Sequence, residues 1–348
     1  QGRDTVVYQE NIVLKAGVRL LSSKPQAVIL RAADPSKAVV SIFQANDQFP
    51  TEIRGFKITG GKLGIIADVT QFNFLQGTEI VIAGNWITDN EQVGIDLYTS
   101  KNWVGKPHLI VNNLITGHRD SGITLRAVAK VVNNTIDNNG LPGDGDERKA
   151  FGITIALGSI GNTTLYNNSI TRNEGYGLYT FYLPPALAGY PVGTIQANNF
   201  WGNNGGGSDP VLNANINRDI FLAGMNLRAN PLYDSASEFG YMPLQNSPNV
   251  DSGLNGILDL SRFQKDLTQS MGDRVYPSNG VIDIGAIEYN PNPHQIQTPT
   301  FTPTRTATPT ETPLPTISAD LNRDGYINDL DVFLLLEQWH SITPTPVR

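Results

Sequence analysis

The chain has 348 residues, 25 Lys+Arg against 32 Asp+Glu for a formal net charge of −7, and no Cys. Lack of cysteine excludes disulfides, zinc–thiolate sites and thiol catalysis, and an acidic chain without Lys/Arg clusters argues against a nucleic-acid partner. No apolar run reaches the ~18 residues of a membrane span, and the length suits one large domain plus something smaller.

In chain order, the first clear pattern begins at Phe56-Lys57-Ile58 and then repeats four times with Asn in the Phe place. The copies run from Asn85-Trp86-Ile87 to Gly94-Ile95, Asn113-Leu114-Ile115 to Gly122-Ile123, Asn134-Thr135-Ile136 to Gly152-Ile153, and Asn168-Ser169-Ile170 to Gly177-Leu178. The Asn-to-Gly offsets are 9, 9, 18 and 9, so the third copy is the same unit with a nine-residue excursion. Asn198-Asn199-Phe200 extends the series. A period in the twenties marks a solenoid.

The repeat reads as β. Gly94-Ile95-Asp96-Leu97-Tyr98, Gly122-Ile123-Thr124-Leu125-Arg126 and Gly152-Ile153-Thr154-Ile155-Ala156 put an apolar residue at every second place, which aims it at one face of a strand. Short strands at a coil-length period stack in parallel. The turn asparagines suit left-handed backbone and their amides can stack into a ladder from coil to coil. Asn133, Asn162 and Asn167 are permitted N-glycosylation acceptors by sequence.

This pattern resembles the right-handed parallel β-helix of the pectate-lyase-like superfamily, over roughly residues 5–290. The opening Asp4-Thr5-Val6-Val7-Tyr8-Gln9-Glu10-Asn11-Ile12-Val13-Leu14-Lys15 and Gly17-Val18-Arg19-Leu20 resembles the first coil of secreted β-helix proteins. Asn246-Ser247-Pro248-Asn249-Val250-Asp251-Ser252-Gly253 and Val281-Ile282-Asp283-Ile284-Gly285-Ala286-Ile287-Glu288-Tyr289 resemble the closing segment of that group. The expected fold class is all-β, a single-stranded solenoid over 1–290 of on the order of ten coils, about 48 Å long at ~4.8 Å per strand. Residues 205–275 are expected to finish or wrap it.

At Pro291 the composition changes. Residues 291–317 are rich in Pro and Thr, with Pro at 291, 293, 299, 303, 309, 313 and 315. Such a segment reads as an extended spacer at about 3.1 Å per residue, of a kind found in secreted and cell-surface proteins. Residue 1 is Gln and no signal peptide is seen, which reads as a mature form or a fragment.

A third segment, 318–342, carries a calcium-loop pattern. Asp320, Asn322, Asp324, Asn328 and Asp331 fall at loop positions 1, 3, 5, 9 and 12, with Gly325 at the sharp turn and Tyr326 offering its backbone carbonyl. Val332, Leu335, Leu336 and Trp339 then recur at helical intervals. The segment resembles one half of a type I dockerin, which implies Ca2+ as cofactor and a cohesin-type domain as partner. Dockerins carry two such repeats and this chain shows one.

On the β-helix, the outward residues of the Gly-initiated strands form two columns: Asp96, Thr124, Thr154, Tyr179 and Tyr98, Arg126, Ala156, Phe181. The family resemblance implies that polysaccharide lies along this face. Arg126 and Asp96 are the candidate catalytic residues, with Arg126 holding a uronate carboxylate or acting as a lyase base. Tyr98, Tyr179, Phe181 and Tyr182 are candidates for stacking on sugar rings. Asp144, Asp146 and Glu147 on the excursion could add carboxylates, and His118, Arg119 and Asp120 precede the Arg126 strand. Asp96 shows no carboxylate partner in its own or the adjacent column. The sequence thus supports two readings of a secreted or cell-surface monomer: a polysaccharide lyase or glycoside hydrolase, or a non-catalytic, adhesin-like β-helix. A cleft with converging Arg and carboxylates favours the first and a flat polar sheet the second.

Overall fold

The computed structural model describes residues 5–22, 27–44, 48–69, 78–99, 105–140, 150–155, 163–180, 194–204, 224–237, 239–257 and 280–289. The chain divides into two units, 1–298 and 299–348, and every described residue belongs to the first. The Pro/Thr-rich spacer and the calcium-loop residues Asp320, Asn322, Asp324, Tyr326, Asn328 and Asp331 lie outside the described residues.

Each coil contributes three strands. The first holds β1 (Val6–Gln9), β2 (Ile12–Leu14) and β3 (Arg19–Leu21); the second β4 (Val28–Arg31), β5 (Val40–Ile42) and β6 (Thr51–Arg54). The third holds β7 (Lys57–Thr59), β8 (Ile65–Asp68) and β9 (Ile80–Ala83); the fourth β10 (Trp86–Thr88), β11 (Ile95–Tyr98) and β12 (His108–Val111). The fifth holds β13 (Leu114–Thr116), β14 (Ile123–Arg126) and β15 (Ala129–Val132); the sixth β16 (Thr135–Asp137), β17 (Ile153–Ile155) and β18 (Thr164–Tyr166). β19 (Ser169–Thr171), β20 (Leu178–Thr180) and β21 (Ile195–Gln196) form the seventh, and β22 (Asn199–Trp201) opens an eighth.

Like strands stack in parallel into three sheets of eight, seven and seven strands. Sheet one runs β1-β4-β7-β10-β13-β16-β19-β22, sheet two runs β2-β5-β8-β11-β14-β17-β20, and sheet three β3-β6-β9-β12-β15-β18-β21. The first unit is a right-handed parallel β-helix, and no helix occurs among the described residues. The described residues make seven full coils and the opening strand of an eighth, and Leu227, bridged in parallel to Asn199, adds a further rung to sheet one; on the order of ten were expected from length.

The interior is built of columns. Ile58, Ile87, Ile115, Ile136 and Ile170 of sheet one stack in register and end on Phe200. Ile95, Ile123 and Ile153 do the same in sheet two, and Ile53, Ile82, Ile110, Val131 and Leu165 in sheet three. All these side chains are buried in one core, each contributing about 1.5–3 kcal/mol.

Two asparagine ladders fasten the corners. At the first, Asn85, Asn113, Asn134, Asn168 and Asn198 each donate from the side-chain amide to the Oδ1 of the next coil's Asn, at 3.1, 3.0, 3.0, 2.8 and 3.0 Å, ending on Asn226. Phe56 occupies the Asn place one coil earlier, and its N–H donates to Asn85 Oδ1. A second ladder, not read from the sequence, joins Asn139 to Asn173 and Asn173 to Asn203, both at 2.9 Å. The ladder asparagines themselves do not adopt the left-handed conformation expected of them. The preceding residue does: Gly84, Asn112, Asn133, Asn167 and Ala197 at one corner, Asp89, Gly117, Asn138, Arg172 and Gly202 at the other, all have positive φ. The ladder also explains the recurrent glycine. A Cβ at Gly122 would meet Asn139 Nδ2 at 3.0 Å and the Gly152 carbonyl oxygen at 2.9 Å; one at Gly152 would meet Asn173 Nδ2 at 2.9 Å.

Residues 231–237, 239–257 and 280–289 form a strap over the outer face of sheet one. It includes a short antiparallel pair, β23 (Tyr233–Asp234) and β24 (Met242–Pro243). Asp283 ties the two closing motifs together, accepting from the Asp251 N–H at 2.8 Å and the Tyr289 N–H at 2.6 Å. Ala286 N–H donates to Thr135 Oγ1 at 3.0 Å, Asn249 bonds Ser169 at 3.0 Å, and Phe239 meets Trp86 edge-on at 5.5 Å. Asn133 and Asn167 are buried here, their amides donating to the Asp283 and Leu254 carbonyls, so neither can carry a glycan in the folded protein; Asn162 lies outside the described residues.

Candidate functional site on sheet two

With sheet one covered, the outward face of sheet two presents the columns read from the sequence. Asp96 pairs in register with Thr124, Thr124 with Thr154, and Thr154 with Tyr179; Tyr98 pairs with Arg126. Ala156, Phe181, Tyr182, Asp144, Asp146 and Glu147 lie outside the described residues.

Asp96, Tyr98 and Arg126 converge. The Tyr98 hydroxyl donates to Asp96 Oδ2 at 2.7 Å, and the Arg126 guanidinium carbon stands 4.6 Å from the centroid of the Tyr98 ring. Asp96 is 8% exposed, and its Oδ1 has no hydrogen-bond partner among the described residues. Burial raises its pKa to about 6, against the stabilising pull of the Tyr98 hydroxyl and Arg126. Burial, and then the Asp96 carboxylate, push the Tyr98 phenol upward, so it keeps its proton. Arg126 is exposed. The connection that follows it, 127–128, is two residues long, whereas 99–107 and 156–163 separate the corresponding strands in the coils on either side.

A second carboxylate is present, contrary to the sequence reading. Asp68 pairs in register with Tyr98 one coil earlier, in the adjacent column, and its charge contributes to raising Asp96. It was missed because its coil begins on Phe56 with an eight-residue step to Gly64, outside the Asn-to-Gly pattern. Tyr179 is half-buried, stacked on the ring of Phe151 with centroids 4.2 Å apart and planes 7° from parallel.

His118 takes no part in this face. It fills an asparagine place in the second ladder, its Nδ1 accepting from the Asn90 N–H at 3.3 Å while its own N–H donates to Asn139 Oδ1 at 3.3 Å. Burial lowers its pKa to about 4, so the ring is neutral. A groove of about 370 Å³ crosses the same corner, lined by Gly60, Asp89, Glu91, Gly117 and Arg119, and includes none of Asp96, Tyr98 or Arg126.

Fold and face together define a parallel β-helix with one face strapped shut and an adjacent face bearing a buried carboxyl, a tyrosine and an exposed arginine. The chain belongs to the NosD family, described as periplasmic copper-binding protein, whose family model matches residues 2–209. Two solved structures are similar in fold. A mutant of the periplasmic alginate epimerase AlgG matches at 15% identity and TM-score 0.36, over 63% of this chain and 46% of that one. Pectate lyase Pel9A matches at 13% identity and TM-score 0.44, over 82% of this chain and 83% of that one. No protein of curated function matches the chain.

The family description raises the question of copper, which favours converging imidazole, thiolate or thioether donors. His108 and His118 are both fully buried, and each spends Nδ1 accepting a backbone N–H, from Ile80 and Asn90. Met225 is exposed, whereas Met242, itself part of the strap, packs against the cluster of Leu114, Phe239, Ala286 and Ile287. No group of three His, Cys, Asp or Glu suited to a metal occurs among the described residues. The described donors do not fit a copper centre.

Proposed function

We propose that the sheet-two face binds an acidic polysaccharide and carries out proton transfer on it, as a lyase acting on uronate units. The observation that carries this reading is the Asp96–Tyr98 hydrogen bond: a carboxyl raised to about 6, linked at 2.7 Å to a half-exposed phenol, with Arg126 beside it. Of the two features expected of an enzyme face, the convergence of arginine and carboxylates supports this reading, while the groove lies at the neighbouring corner rather than over these residues.

In this mechanism Arg126 pairs with the uronate carboxylate and favours removal of the adjacent proton. That proton passes to the Tyr98 oxygen as Tyr98 passes its own to Asp96 Oδ2. The electron pair left on carbon forms the double bond as the glycosidic C–O bond breaks, and water protonates the leaving oxygen. Asp96 must be ionised to accept the proton, so activity rises with pH through about 6. Purified protein incubated with polygalacturonate or alginate tests this by ultraviolet absorbance of the unsaturated product. Reducing ends without absorbance would instead favour hydrolysis by the Asp68/Asp96 pair, a second reading supported by the influence of Asp68 on Asp96.

The family description and the Pro/Thr-rich spacer support an extracytoplasmic location. The segment 318–342 adds a calcium-dependent docking module, with Asp320, Asn322, Asp324, Asn328 and Asp331 as side-chain ligands and the Tyr326 carbonyl as a sixth. A cohesin-type domain is the partner its dockerin-like pattern suggests. Isothermal titration of the full chain with CaCl2 tests it; no uptake up to millimolar calcium would remove the module from the account.

A further inference from the structure

We infer that Tyr176 and Tyr179, backed by Phe151, form a sugar-stacking subsite for the same polymer, placing it along the axis of the coil stack. This deepens, and rests on, the reading that sheet two takes an acidic glycan. Asp96 and Tyr179 occupy one column, with Thr124 and Thr154 between them. Three strand steps separate them, about 14 Å at ~4.8 Å per step, the reach of a short oligosaccharide. Both intervening threonines are nearly buried, at 8% and 3% exposure, so the floor between acid and aromatics is low.

The aromatic end is built rather than incidental. Phe151 is 1% exposed and lies flat beneath Tyr179. Tyr176 tilts toward both rings, at 6.0 Å from Tyr179 and 6.1 Å from Phe151. Gly175 makes room for this packing: a Cβ there would meet Phe151 Cδ1 at 2.6 Å and the Ala150 carbonyl oxygen at 2.8 Å. Tyr179 on β20 and Tyr176 in the turn before it remain half-buried, and the next outward positions along the Tyr179 column are threonine. Rigid, amphipathic rings already fixed by a buried partner give contact area at low entropic cost, the property a platform for the apolar face of a sugar ring needs.

The test is calorimetric binding of galacturonate and mannuronate dimers and hexamers to the full chain. Wild type should bind a hexamer roughly tenfold tighter than the corresponding dimer, and the Tyr176→Ala/Tyr179→Ala variant should lose that difference. The Tyr176→Phe/Tyr179→Phe variant keeps both rings and should retain it, which separates stacking from misfolding. Asp96→Asn should abolish turnover yet keep hexamer affinity. Hexamer binding that depends on the tyrosines without any turnover would uphold the subsite and overturn the lyase reading. Equal dimer and hexamer affinity, no binding, or unchanged affinity in the alanine variant would overturn the subsite.

Discussion

Two buried aspartates on neighbouring faces of the coil have opposite surroundings. Asp137, on sheet one beneath the strap, is fully buried and saturated: Arg172 grips both oxygens at 2.9 and 2.7 Å, Tyr241 donates at 2.9 Å and Thr171 at 2.5 Å. Asp96, on sheet two, has one tyrosine and, among the described residues, an oxygen without a partner. A buried carboxylate needs its lone pairs met; where they are met the group is structural, and where they are not its proton equilibrium becomes available for chemistry. The strap makes the difference, since Tyr241 comes from 104 residues downstream to complete the Asp137 shell and nothing comparable reaches Asp96 among the described residues.

The contrast can be broken first at its stronger end. Asp137→Ala should cost about 4 kcal/mol by stranding Arg172 and Tyr241, read as a lower urea midpoint with faster proteolysis within the strap. The corner between the two faces offers the next test. His118 has a folded pKa of about 4, below its unfolded 6.5, so the unfolded chain binds more protons in that interval. Its contribution is therefore intact above pH 6.5 and lost as pH falls toward 4, by about 3 kcal/mol. His118→Asn, which restores the residue used elsewhere in the ladder, should flatten that acid loss in urea titrations across the interval, and copper uptake should not change with it.

Asp96 has the opposite sign. Its folded pKa is raised from 3.8 to about 6, so the native state binds more protons between those values, and its ionised form weighs against folding above pH 6. Asp96→Asn should gain up to about 3 kcal/mol at neutral pH and nothing near pH 3, while product formation disappears. Arg126→Ala is the mildest change to the fold. An exposed cation–π contact is worth about 0.5–1 kcal/mol, so the melting temperature should barely move while affinity for acidic glycans falls and that for neutral glycans does not.

The repeating half of this molecule was plain in the sequence because its physics is periodic. Isoleucine at every second place and glycine beneath each ladder amide fixed the strands, and the Asp96 and Tyr98 columns stand in the register that the alternation implied. Single-coil departures were less legible. Asp68 sits in a coil that opens on Phe56, and His118 hides an asparagine's role behind a residue that otherwise suggests catalysis or metal binding. The strap was legible only as two motifs, since the Asp283 contacts that join them and the Ala286–Thr135 bond, which spans 151 residues, have no periodic signal.

The central claim is that Asp96, through Tyr98, performs proton chemistry on an acidic glycan at the sheet-two face. The most direct measurement follows unsaturated-product absorbance and reducing ends together on polygalacturonate and alginate from pH 5 to 8, for wild type and Asp96→Asn. The account predicts absorbance that grows on one of these polymers, rises through about pH 6 and vanishes in the variant. Equal activity in Asp96→Asn, or no product and no binding on either polymer, would contradict it.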